Sequence, residues 1–376
     1  MKISLISATG HPKNPKGWSG TTLNIYNGLE SAGRLGDTYI VGHNNLAFKV
    51  VKRLLDYYYN YRFRSGKSQM MMSFRFTWLR YLFSKSSSLY VKNSTVKHAL
   101  HFGTITLPFI KKRAGEFHYC YIDATWAIWQ LNSTNINVIK PEDQQVIEEL
   151  EIKSFNSVDH IFSISDYVKR NLVEHYKIPK SKITVVGTGT GIIKPYFGEK
   201  DYTNQKILFV AKGRFEDKGG DLVLKAFHLL LEKYPDLQLS IVGQTDYSAI
   251  PSHPNIQTHG FIPIEDLQAM FNTHSLFLMP ALNEPWGLVY IEAMLCRMPI
   301  VGINRNSFPE LSLHGKVGVG IERPDHQQLA KAIDSLLAKP AEMAAMGAAA
   351  QKHALEQYTW DNVVAKMAAV VDQSLM

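Results

Sequence analysis

Short apolar runs alternate with amphipathic segments along almost the whole chain, and this alternation predicts its secondary structure. The apolar runs are bounded by Gly, Pro or polar residues, which is typical of buried strands. The predicted strands cover residues 2–7, 38–42, 98–102, 117–122, 160–165, 183–187, 206–211, 237–243, 255–260, 275–280 and 299–303. The predicted helices cover residues 21–32, 141–156, 166–176, 219–234, 264–273, 286–297, 325–338, 341–357 and 360–374.

The predicted strands form two series, which indicates two domains of similar construction. Near-continuous apolar strands that alternate with helices are typical of parallel sheets covered on both faces. The series are separated by a Gly-, Pro- and polar-rich connection at residues 188–205. We therefore expect an α/β fold of two Rossmann-like, doubly wound domains that face a central cleft, with the ligand beyond the carboxyl ends of the strands. The expected division is residues 1–190, residues 191–358, and a final helix in residues 359–376 that packs back on the first domain.

The composition is that of an ordinary folded protein, with 45% hydrophobic and 20% charged residues among 376. The two cysteines, Cys120 and Cys296, lie far apart in apolar segments, which argues against a disulfide or a zinc site. The N-terminal stretch lacks the features of a signal peptide, and no apolar run approaches the roughly 20 residues that span a bilayer. We expect a cytoplasmic protein.

Basic residues are concentrated in one segment, residues 49–92. Ten lysines and arginines accompany the single acid Asp56 there, which gives the segment a charge of +9 in a chain of net charge +8. Aromatic and aliphatic residues alternate with these cations at roughly helical spacing, which is typical of a helix on an anionic membrane surface. The candidates for contact with a membrane or an acidic acceptor are Arg62, Arg64, Arg75 and Arg80. Two alternatives stay open: aromatics that pack on the first sheet under a solvated face, and stacking on nucleic-acid bases.

Two glutamates eight residues apart, Glu284 and Glu292, frame the sequence EPWGLVYIE after a predicted strand. On a helix this separation is on the order of 12 Å, whereas paired glycosidase carboxylates lie about 5–9.5 Å apart. The spacing therefore favours two ends of one extended ligand over a shared proton or metal ion. The structural alternatives are a helix N-cap for Glu284 and an ion pair with Arg297 or Lys316 for Glu292.

The residues between the two glutamates predict an anion site. Pro285 fits near the first position of a helix, where its missing N–H has no cost. The amides of Trp286, Gly287 and Leu288 would then face an anion, with the positive end of the helix dipole behind them. Gly287 would let that ligand approach the backbone closely.

A second charged loop, GRFEDKGG, follows the strand predicted at residues 206–211. It places Arg214 and Lys218 just ahead of a helix that starts near Gly219. A guanidinium fork and an ammonium beside a helix N-terminus suit a diphosphate, and they would stabilise a departing nucleoside diphosphate. The alternative is an exposed turn with solvated charges.

Together these motifs resemble the GT-B glycosyltransferases of the large retaining family 4, the glycosyl transferases group 1. The chain carries the E-x7-E element of that family in Glu284 and Glu292 and its G-R-x-x-x-K-G loop from Gly213 to Gly219. Three further stretches match: SISDYVKRNL at 163–172, GFIPIEDLQAMF at 260–271 and the pair Pro309–Glu310. The matches cover most of the second domain and the end of the first, in family order.

The resemblance implies transfer of a sugar from a nucleotide sugar with retention at the anomeric carbon, and without a cofactor or a required metal. It implies that Glu284 contacts the transferred sugar, helped by the amides of residues 286–288, and that Glu292 binds the ribose hydroxyls. It also implies that Arg214 and Lys218 stabilise the leaving diphosphate. Further donor-binding candidates in the matched stretch are Gly260 and Phe261.

Two residues of the first domain are candidates for the same reaction. GWSGTTLNIYNGL (17–29) resembles the Gly-rich first loop of the family, and Gly20, before a helix capped by Thr21 or Thr22, is a donor-binding candidate. Asp123 follows a predicted strand where many relatives carry a histidine near the reaction centre, which makes it a catalytic candidate. The alternatives are a flexible turn for Gly20 and a simple helix cap for Asp123.

The chain departs from the family pattern at two places. Where the family often reads Asn-Gly-Val-Asp, this sequence reads TGTG at residues 188–191, without an acid. Before Pro309 the usual pair of glycines is replaced by Asn306, Ser307 and Phe308. These departures leave the nucleotide and acceptor preferences open.

We expect a retaining hexosyltransferase that uses a nucleoside-diphosphate sugar and a glycan or lipid-linked acceptor in the synthesis of a bacterial surface polysaccharide or lipopolysaccharide. It would work on the cytoplasmic face of the inner membrane, by a front-face mechanism and without nucleic acid as a partner. Two alternatives remain: another GT-B enzyme, such as a nucleotide-sugar epimerase or a phosphorylase, and an inactive binding or scaffold protein of the same fold. The sequence identifies neither the nucleotide (UDP or GDP) nor the sugar, the acceptor or the linkage.

Overall fold

The computed structural model describes residues 1–373 except residues 9, 15, 16, 44, 64–75, 96, 133–138, 244, 245, 247, 249 and 283. For residues 19, 59, 60, 62, 63 and 132 it describes the backbone but not the side chain. The chain divides into two compact units, residues 1–189 with 360–376 and residues 190–359. In the described part of the chain, each unit contains one six-stranded sheet whose paired strands are all parallel. The prediction of two doubly wound α/β domains is confirmed.

In its described residues, the first unit contains six strands in one sheet, in which the first strand of the chain lies between the second and the third. Its strands are β1 Ile3–Ser7, β2 Leu35–Ile40, β3 His98–Phe102, β4 Phe117–Ile122, β5 His160–Ser163 and β6 Ile183–Val185. Its helices up to this point are α1 Thr21–Ser31, α2 Leu46–Phe63, α3 Thr77–Asn93, α4 Trp126–Asn132, α5 Pro141–Ser157 and α6 Asp166–Glu174, with short 3-10 turns at Gly17–Gly20 and Lys180–Lys182. The sheet order is β2-β1-β3-β4-β5-β6. The order reverses between β1 and β3, and ligands of such sheets bind at that point, beyond the carboxyl ends of the strands.

The second unit has the strand order of a Rossmann fold. Its strands are β7 Lys206–Val210, β8 Gln238–Val242, β9 Ile256–His259, β10 Leu276–Leu278, β11 Ile300–Ile303 and β12 Gly318–Ile321. Its helices are α7 Gly220–Leu230, α8 Ile264–Thr273, α9 Leu288–Leu295, α10 Phe308–Leu311, α11 His326–Leu337 and α12 Pro340–Gln357. The sheet order is β12-β11-β10-β7-β8-β9, so the reversal falls between β7 and β10. The loops after these two strands are therefore the expected ligand loops of this unit.

The last helix, α13 Trp360–Gln373, belongs to the first unit. Val363, Met367 and Val371 on one face of α13 are buried in the same core as β1 and α1. Gly28 on α1 permits this close packing, because a Cβ at that position would lie 2.7 Å from Cγ2 of Val364.

The strand predictions fail mainly at the sheet edges. The edge strand β12 is not predicted, and β2 spans Leu35–Ile40 instead of residues 38–42. Only one side of an edge strand is paired, and the LGDTYI sequence of β2 is partly exposed along its length. A strand in this position does not need the continuous apolar run that marks a central strand such as β1.

The basic segment 49–92 lies largely in α2 and α3, and the prediction for Arg80 is wrong. The side chain of Arg80 is only 2% exposed. Its Nη2 donates hydrogen bonds to the Thr104 carbonyl at 2.6 Å and to Ser154 Oγ at 3.2 Å. The charge therefore connects α3 to α5 and to the loop after β3, and it is not available to a membrane or an acceptor. The other three arginines predicted for this role are Arg62, Arg64 and Arg75. Arg64 and Arg75 lie outside the described residues, and only the backbone of Arg62 is described.

No helix in the described ranges combines the length and the apolar character needed to cross a lipid bilayer.

Candidate functional site

The charged residues that the sequence singled out in the second unit meet where its strand order reverses. The loop after β7 supplies Arg214 and Lys218, and the loop after β10 supplies Glu284. The two loops are joined by a hydrogen bond from the Leu282 N–H to the Asp217 carbonyl at 2.8 Å. Arg214 Nη1 lies 3.6 Å from Glu284 Oε2. The structure thus brings together side chains that are about seventy residues apart in sequence, at the edge where a doubly wound sheet binds its ligand.

Arg214 is held by carboxylates but remains accessible. Its Nε donates to Asp217 Oδ2 at 3.1 Å, and its side chain is 41% exposed. An ion pair of this exposure contributes only about 0–1 kcal/mol. A diphosphate, which accepts two parallel hydrogen bonds from a guanidinium, would compete well for Arg214.

Lys218 is nearly buried beneath the same loops. Its Nζ donates to the Val210 carbonyl at 3.3 Å, at the carboxyl end of β7. Burial lowers the pKa of Lys218 to about 8, with Arg214 and Lys212 acting in the same direction and Glu284 in the opposite one. A bound anion would add negative charge beside this ammonium and favour its protonated form. Lys212, one residue before Gly213, is a cation of this site that the sequence interpretation did not select.

Two glycines shape the backbone at the site. Gly219, with φ of 82°, precedes α7, and a Cβ there would lie 2.1 Å from the Pro280 carbonyl oxygen. Gly287, with φ of 89°, is the N-cap of α9. The helix begins only at Leu288, so the prediction that Pro285 lies near its first position is wrong. The left-handed Gly287 turns the chain before the helix starts, and the Tyr290 N–H donates to the Gly287 carbonyl at 3.0 Å. The N–H groups of Leu288 and Val289, at the start of α9, have no carbonyl partner within the helix.

Trp286 contributes its backbone and not its ring to the site. The indole is buried and packs edge-to-face on Tyr358, with ring centroids 6.1 Å apart. Ser307 Oγ lies 2.8 Å from the carbonyl oxygens of both Pro285 and Trp286, and Asn306 Nδ2 donates to the Glu284 carbonyl at 3.1 Å. Asn306 and Ser307 thus hold the backbone that carries Glu284. They stand where the family usually has glycines, so this departure was the sequence signal for their role.

Glu292 lies on α9 against the chain that enters the second unit. Its Oε1 accepts a hydrogen bond from the Ile192 N–H at 3.0 Å, and a Cβ at Gly191 would lie 2.1 Å from the same oxygen. Burial raises the pKa of the Glu292 carboxyl, while the Ile192 N–H and the cation Lys212 oppose that shift. The absence of a larger residue at position 191 therefore has a steric reason, which the sequence did not disclose.

Phe261 lies exposed over two glycine turns beside these loops. The Gly213 N–H donates to the Gly243 carbonyl at 2.6 Å, and the Gly243 N–H donates to the Gly260 carbonyl at 3.0 Å. The Phe261 ring lies 3.7 Å from where a Cβ of Gly213 would be, yet Phe261 is 67% exposed. An accessible ring at the carboxyl ends of β7, β8 and β9 offers a flat apolar surface for a planar group.

In the first unit the two predicted residues, Gly20 and Asp123, lie at the carboxyl edge of the first sheet. Gly20, with φ of 85°, is itself the N-cap of α1, so the predicted caps Thr21 and Thr22 are wrong. Thr22 Oγ1 is instead directed to the Pro12 carbonyl at 3.3 Å. Asp123 directly follows β4, and its Oδ2 accepts a hydrogen bond from Nε1 of Trp18 at 2.6 Å. Trp18, within the quoted Gly-rich stretch, was not selected from the sequence.

Comparisons with known proteins agree with the geometry of the second unit. The family described as glycosyl transferases group 1 matches residues 196–353. The chain is 31% identical over 169 residues to a GDP-mannose-dependent alpha-(1-6)-phosphatidylinositol monomannoside mannosyltransferase of Mycolicibacterium smegmatis, covering 41% of this chain and 44% of that protein. It is 26% identical over 252 residues to a D-inositol 3-phosphate glycosyltransferase of Streptomyces avermitilis, covering 60% and 54%. It is 24% identical over 277 residues to the capsular polysaccharide biosynthesis glycosyltransferase CapM of Staphylococcus aureus, covering 68% and 69%. The chain spans about half the length of the first two relatives.

Solved structures match the entire chain. Sucrose-phosphate synthase from Thermosynechococcus elongatus aligns with a TM-score of 0.72 at 16% identity, covering 100% of this chain and 99% of that one. WaaG, a glycosyltransferase involved in lipopolysaccharide biosynthesis, aligns with a TM-score of 0.64 at 14% identity, covering 98% and 99%. At such identity the likeness shows the fold, and membership of the retaining family 4 stays a prediction. The chain has the GT-B fold, and residues 196–353 of its second unit match the family of glycosyl transferases group 1.

Proposed function

We propose that this protein is a retaining glycosyltransferase that moves a hexose-type sugar from a nucleoside-diphosphate sugar to a glycan or lipid-linked acceptor. The observation that carries the proposal is the meeting of Arg214, Lys218 and Glu284 at the strand reversal of the second unit, next to the N-terminus of α9. Cations, a helix N-terminus and a carboxylate at one sheet edge suit a sugar attached to a diphosphate.

The diphosphate is the part of the donor that these cations would hold. Arg214 exchanges its weak ion pair with Glu284 for the phosphate oxygens, and Lys218 adds a positive charge from below. The helix α9 starts four residues after Glu284 and adds the positive end of its dipole to this edge of the sheet. Charge that develops on the departing diphosphate is thereby stabilised by groups already in position.

The two glutamates bind different ends of the donor. Glu284, freed from Arg214, accepts hydrogen bonds from hydroxyls of the transferred sugar, while Glu292 accepts them from the ribose. The exposed Phe261 ring supplies a surface for the base. The bond from the anomeric carbon to the phosphate breaks, the acceptor oxygen forms a bond on the same face, and a phosphate oxygen takes the acceptor proton. No metal ion is required in this scheme.

Substitution of the two partners tests the site directly. In Arg214→Ala we expect turnover to fall by about 10²–10³-fold, the usual cost of losing one preorganised charge-stabilising group. In Glu284→Ala we expect a fall of about 10-fold or more, because a hydrogen bond between the carboxylate and a sugar hydroxyl is lost. Arg323→Ala and Glu232→Ala remove exposed charges elsewhere in the second unit and should retain activity. Near-normal turnover in a folded Arg214→Ala or Glu284→Ala protein would remove that residue from the mechanism.

A surface on α2 supports a lipid-linked acceptor. Leu46, Val50, Leu54, Tyr57 and Tyr61 recur at helical intervals of three or four residues, and each is more than half exposed. We call these five residues the α2 apolar face. Large side chains in a continuous exposed row are unusual on a soluble protein and typical of interfacial helices.

Cations flank the α2 apolar face. Lys49 and Arg53 are exposed beside it, whereas Lys52 is paired with Asp56 on the same helix. Each cation near an anionic bilayer contributes about 1 kcal/mol to attraction. The names of two relatives support this assignment: one acts on a phosphatidylinositol mannoside, and another belongs to capsular polysaccharide biosynthesis. We therefore propose that the enzyme works on the cytoplasmic face of an anionic membrane, in surface glycan synthesis.

Flotation with vesicles tests this placement. We expect Leu46→Ser/Val50→Ser/Leu54→Ser to lose most binding to vesicles that contain phosphatidylglycerol, because the apolar area that enters the interface is gone. Leu229→Ser removes a half-exposed leucine from α7 and should bind as the wild type does. Wild-type binding that falls with added salt supports the cationic flank. Equal flotation of the triple variant and the wild type would contradict the assignment.

A further inference from the structure

Trp18 lies where the strand order of the first sheet reverses. It belongs to the short turn Gly17–Gly20 between β1 and α1. Its ring meets Phe102, the last residue of β3, at a centroid distance of 6.2 Å and an interplanar angle of 89°. It also meets Tyr121 of β4 at 5.7 Å and 75°. One side chain from the loop after β1 thus covers the carboxyl ends of the next two strands, at the position where such sheets bind ligands.

The indole N–H of Trp18 donates to the carboxylate of Asp123. The Nε1–Oδ2 distance is 2.6 Å, which is short for a hydrogen bond from an indole and typical of a charged acceptor. Trp18 also has a φ of 46°, a left-handed conformation that non-glycine residues seldom adopt. Backbone strain of this kind clusters at functional sites, so the strained backbone and the short hydrogen bond together indicate a functional role for the Gly17–Gly20 turn.

We propose that Trp18 is a positioning residue, which fixes the Asp123 carboxylate so that it binds and orients the acceptor hydroxyl. This inference rests on the glycosyl transfer proposed above. A carboxylate has about four lone-pair sites, and Asp123 is partly exposed at the carboxyl end of β4, so it can accept a hydrogen bond from a hydroxyl in addition to the one from Trp18. The same hydrogen bond fixes the Gly17–Gly20 turn, and therefore the start of α1, relative to β4.

The packing of Trp18 allows a conservative test. Trp18→Phe keeps an aromatic ring against Phe102 and Tyr121 and removes the N–H donor together with the second ring of the indole. Asp123→Asn keeps the shape of the acceptor and removes its charge. Trp129→Phe, a partly exposed tryptophan on α4 that stacks on Trp126, is the matched control for loss of an indole elsewhere in the unit.

The kinetic test separates acceptor from donor, with octyl hexopyranosides as the acceptor probe. We expect Trp18→Phe to lower kcat/KM for the acceptor by about 10-fold, the effect of one hydrogen bond to a charged group, with the Kd of the nucleoside diphosphate unchanged. In the Asp123→Asn background the same substitution should have less than about a twofold further effect, because the two residues act as a unit. Additive losses, or an unchanged kcat/KM in Trp18→Phe, would overturn the inference.

A spectroscopic measurement reports the contact without turnover. The indole Nε1–H resonance of Trp18, identified by its loss in Trp18→Phe, should move in Asp123→Asn and remain in place in Trp129→Phe. An unchanged chemical shift of this resonance in Asp123→Asn would overturn the positioning role. A wild-type protein that binds no nucleotide and transfers no sugar would contradict the proposed function itself, whereas an active wild type with an active Trp18→Phe contradicts only the role of Trp18.

Discussion

Individual residues of the site could be predicted where they directly follow a recognisable strand in the sequence. Arg214, Lys218 and Glu284 follow two strands that become neighbours in the sheet, and the structure brings them together. The support of Glu292 was not predictable, because the Ile192 N–H that reaches it comes from a loop one hundred residues away. Trp18 was missed for the same reason, since its partner Asp123 lies on another loop. The roles of all these residues in catalysis stay predictions.

Buried histidines predict how stability depends on pH. Burial lowers the pKa of His118 in the first unit and of His274 in the second to about 4. Both side chains are almost fully buried, and His274 is bonded to Ser240 Oγ at 2.8 Å. The folded state therefore holds each ring neutral, whereas the unfolded chain protonates it near pH 6.5. The contribution of each neutral ring to the free energy of unfolding is fully present above about pH 6.5. It is lost as the pH falls toward 4, by roughly 3 kcal/mol for each residue.

Thermal unfolding between pH 7 and pH 4 checks this expectation. The Tm should fall across that window, and His43→Gln, which removes an exposed histidine, should leave the slope unchanged. His274→Gln should lower the Tm at pH 7 and flatten its pH dependence. A Tm that is constant down to pH 4 would show that these rings are not held neutral.

At the scale of elements, the sequence predicted central strands and long helices better than edges and helix starts. The central strands β1 and β3 are fully buried, and each lies within its predicted range. The edge strand β12 was missed because the sequence GVGI is half glycine and only partly buried. The start of α9 was misplaced because the left-handed turn at Gly287 depends on its packing against Tyr290, which no local pattern displays.

The packing of α13 on α1 gives a prediction for the stability of the first unit. Met367 on α13 is fully buried in the core shared with β1. Met367→Ala should lower the free energy of unfolding by about 2–5 kcal/mol, through lost burial and a cavity. Lys366→Ala, at the neighbouring exposed position, should change it by less than about 0.5 kcal/mol. Chemical denaturation followed by circular dichroism measures both, and equal stabilities would mean that α13 contributes no core to this unit.

At the scale of the whole molecule, the two units share one architecture over the described residues, a six-stranded parallel sheet with a single reversal of strand order. Each sheet reverses its strand order once, between β1 and β3 in the first unit and between β7 and β10 in the second. Each reversal carries a glycine in left-handed conformation ahead of a helix, Gly20 and Gly219, and charged or polar side chains beside it. This organisation followed from the alternation of strands and helices in the sequence, and the match to GT-B structures along the entire chain agrees with it.

We propose above that the second unit holds a nucleoside diphosphate at its strand reversal, between β7 and β10. Isothermal titration calorimetry of the wild type with UDP, GDP and ADP, in EDTA, tests it most directly and also tests independence from metal. We expect one nucleotide to bind with a Kd in the micromolar range, about −8 kcal/mol. Glu292→Gln should weaken that binding by about 10-fold or more, while Glu232→Gln, an exposed acid after α7, should leave it unchanged. No binding of any nucleotide, or equal binding in Glu292→Gln, would contradict the account.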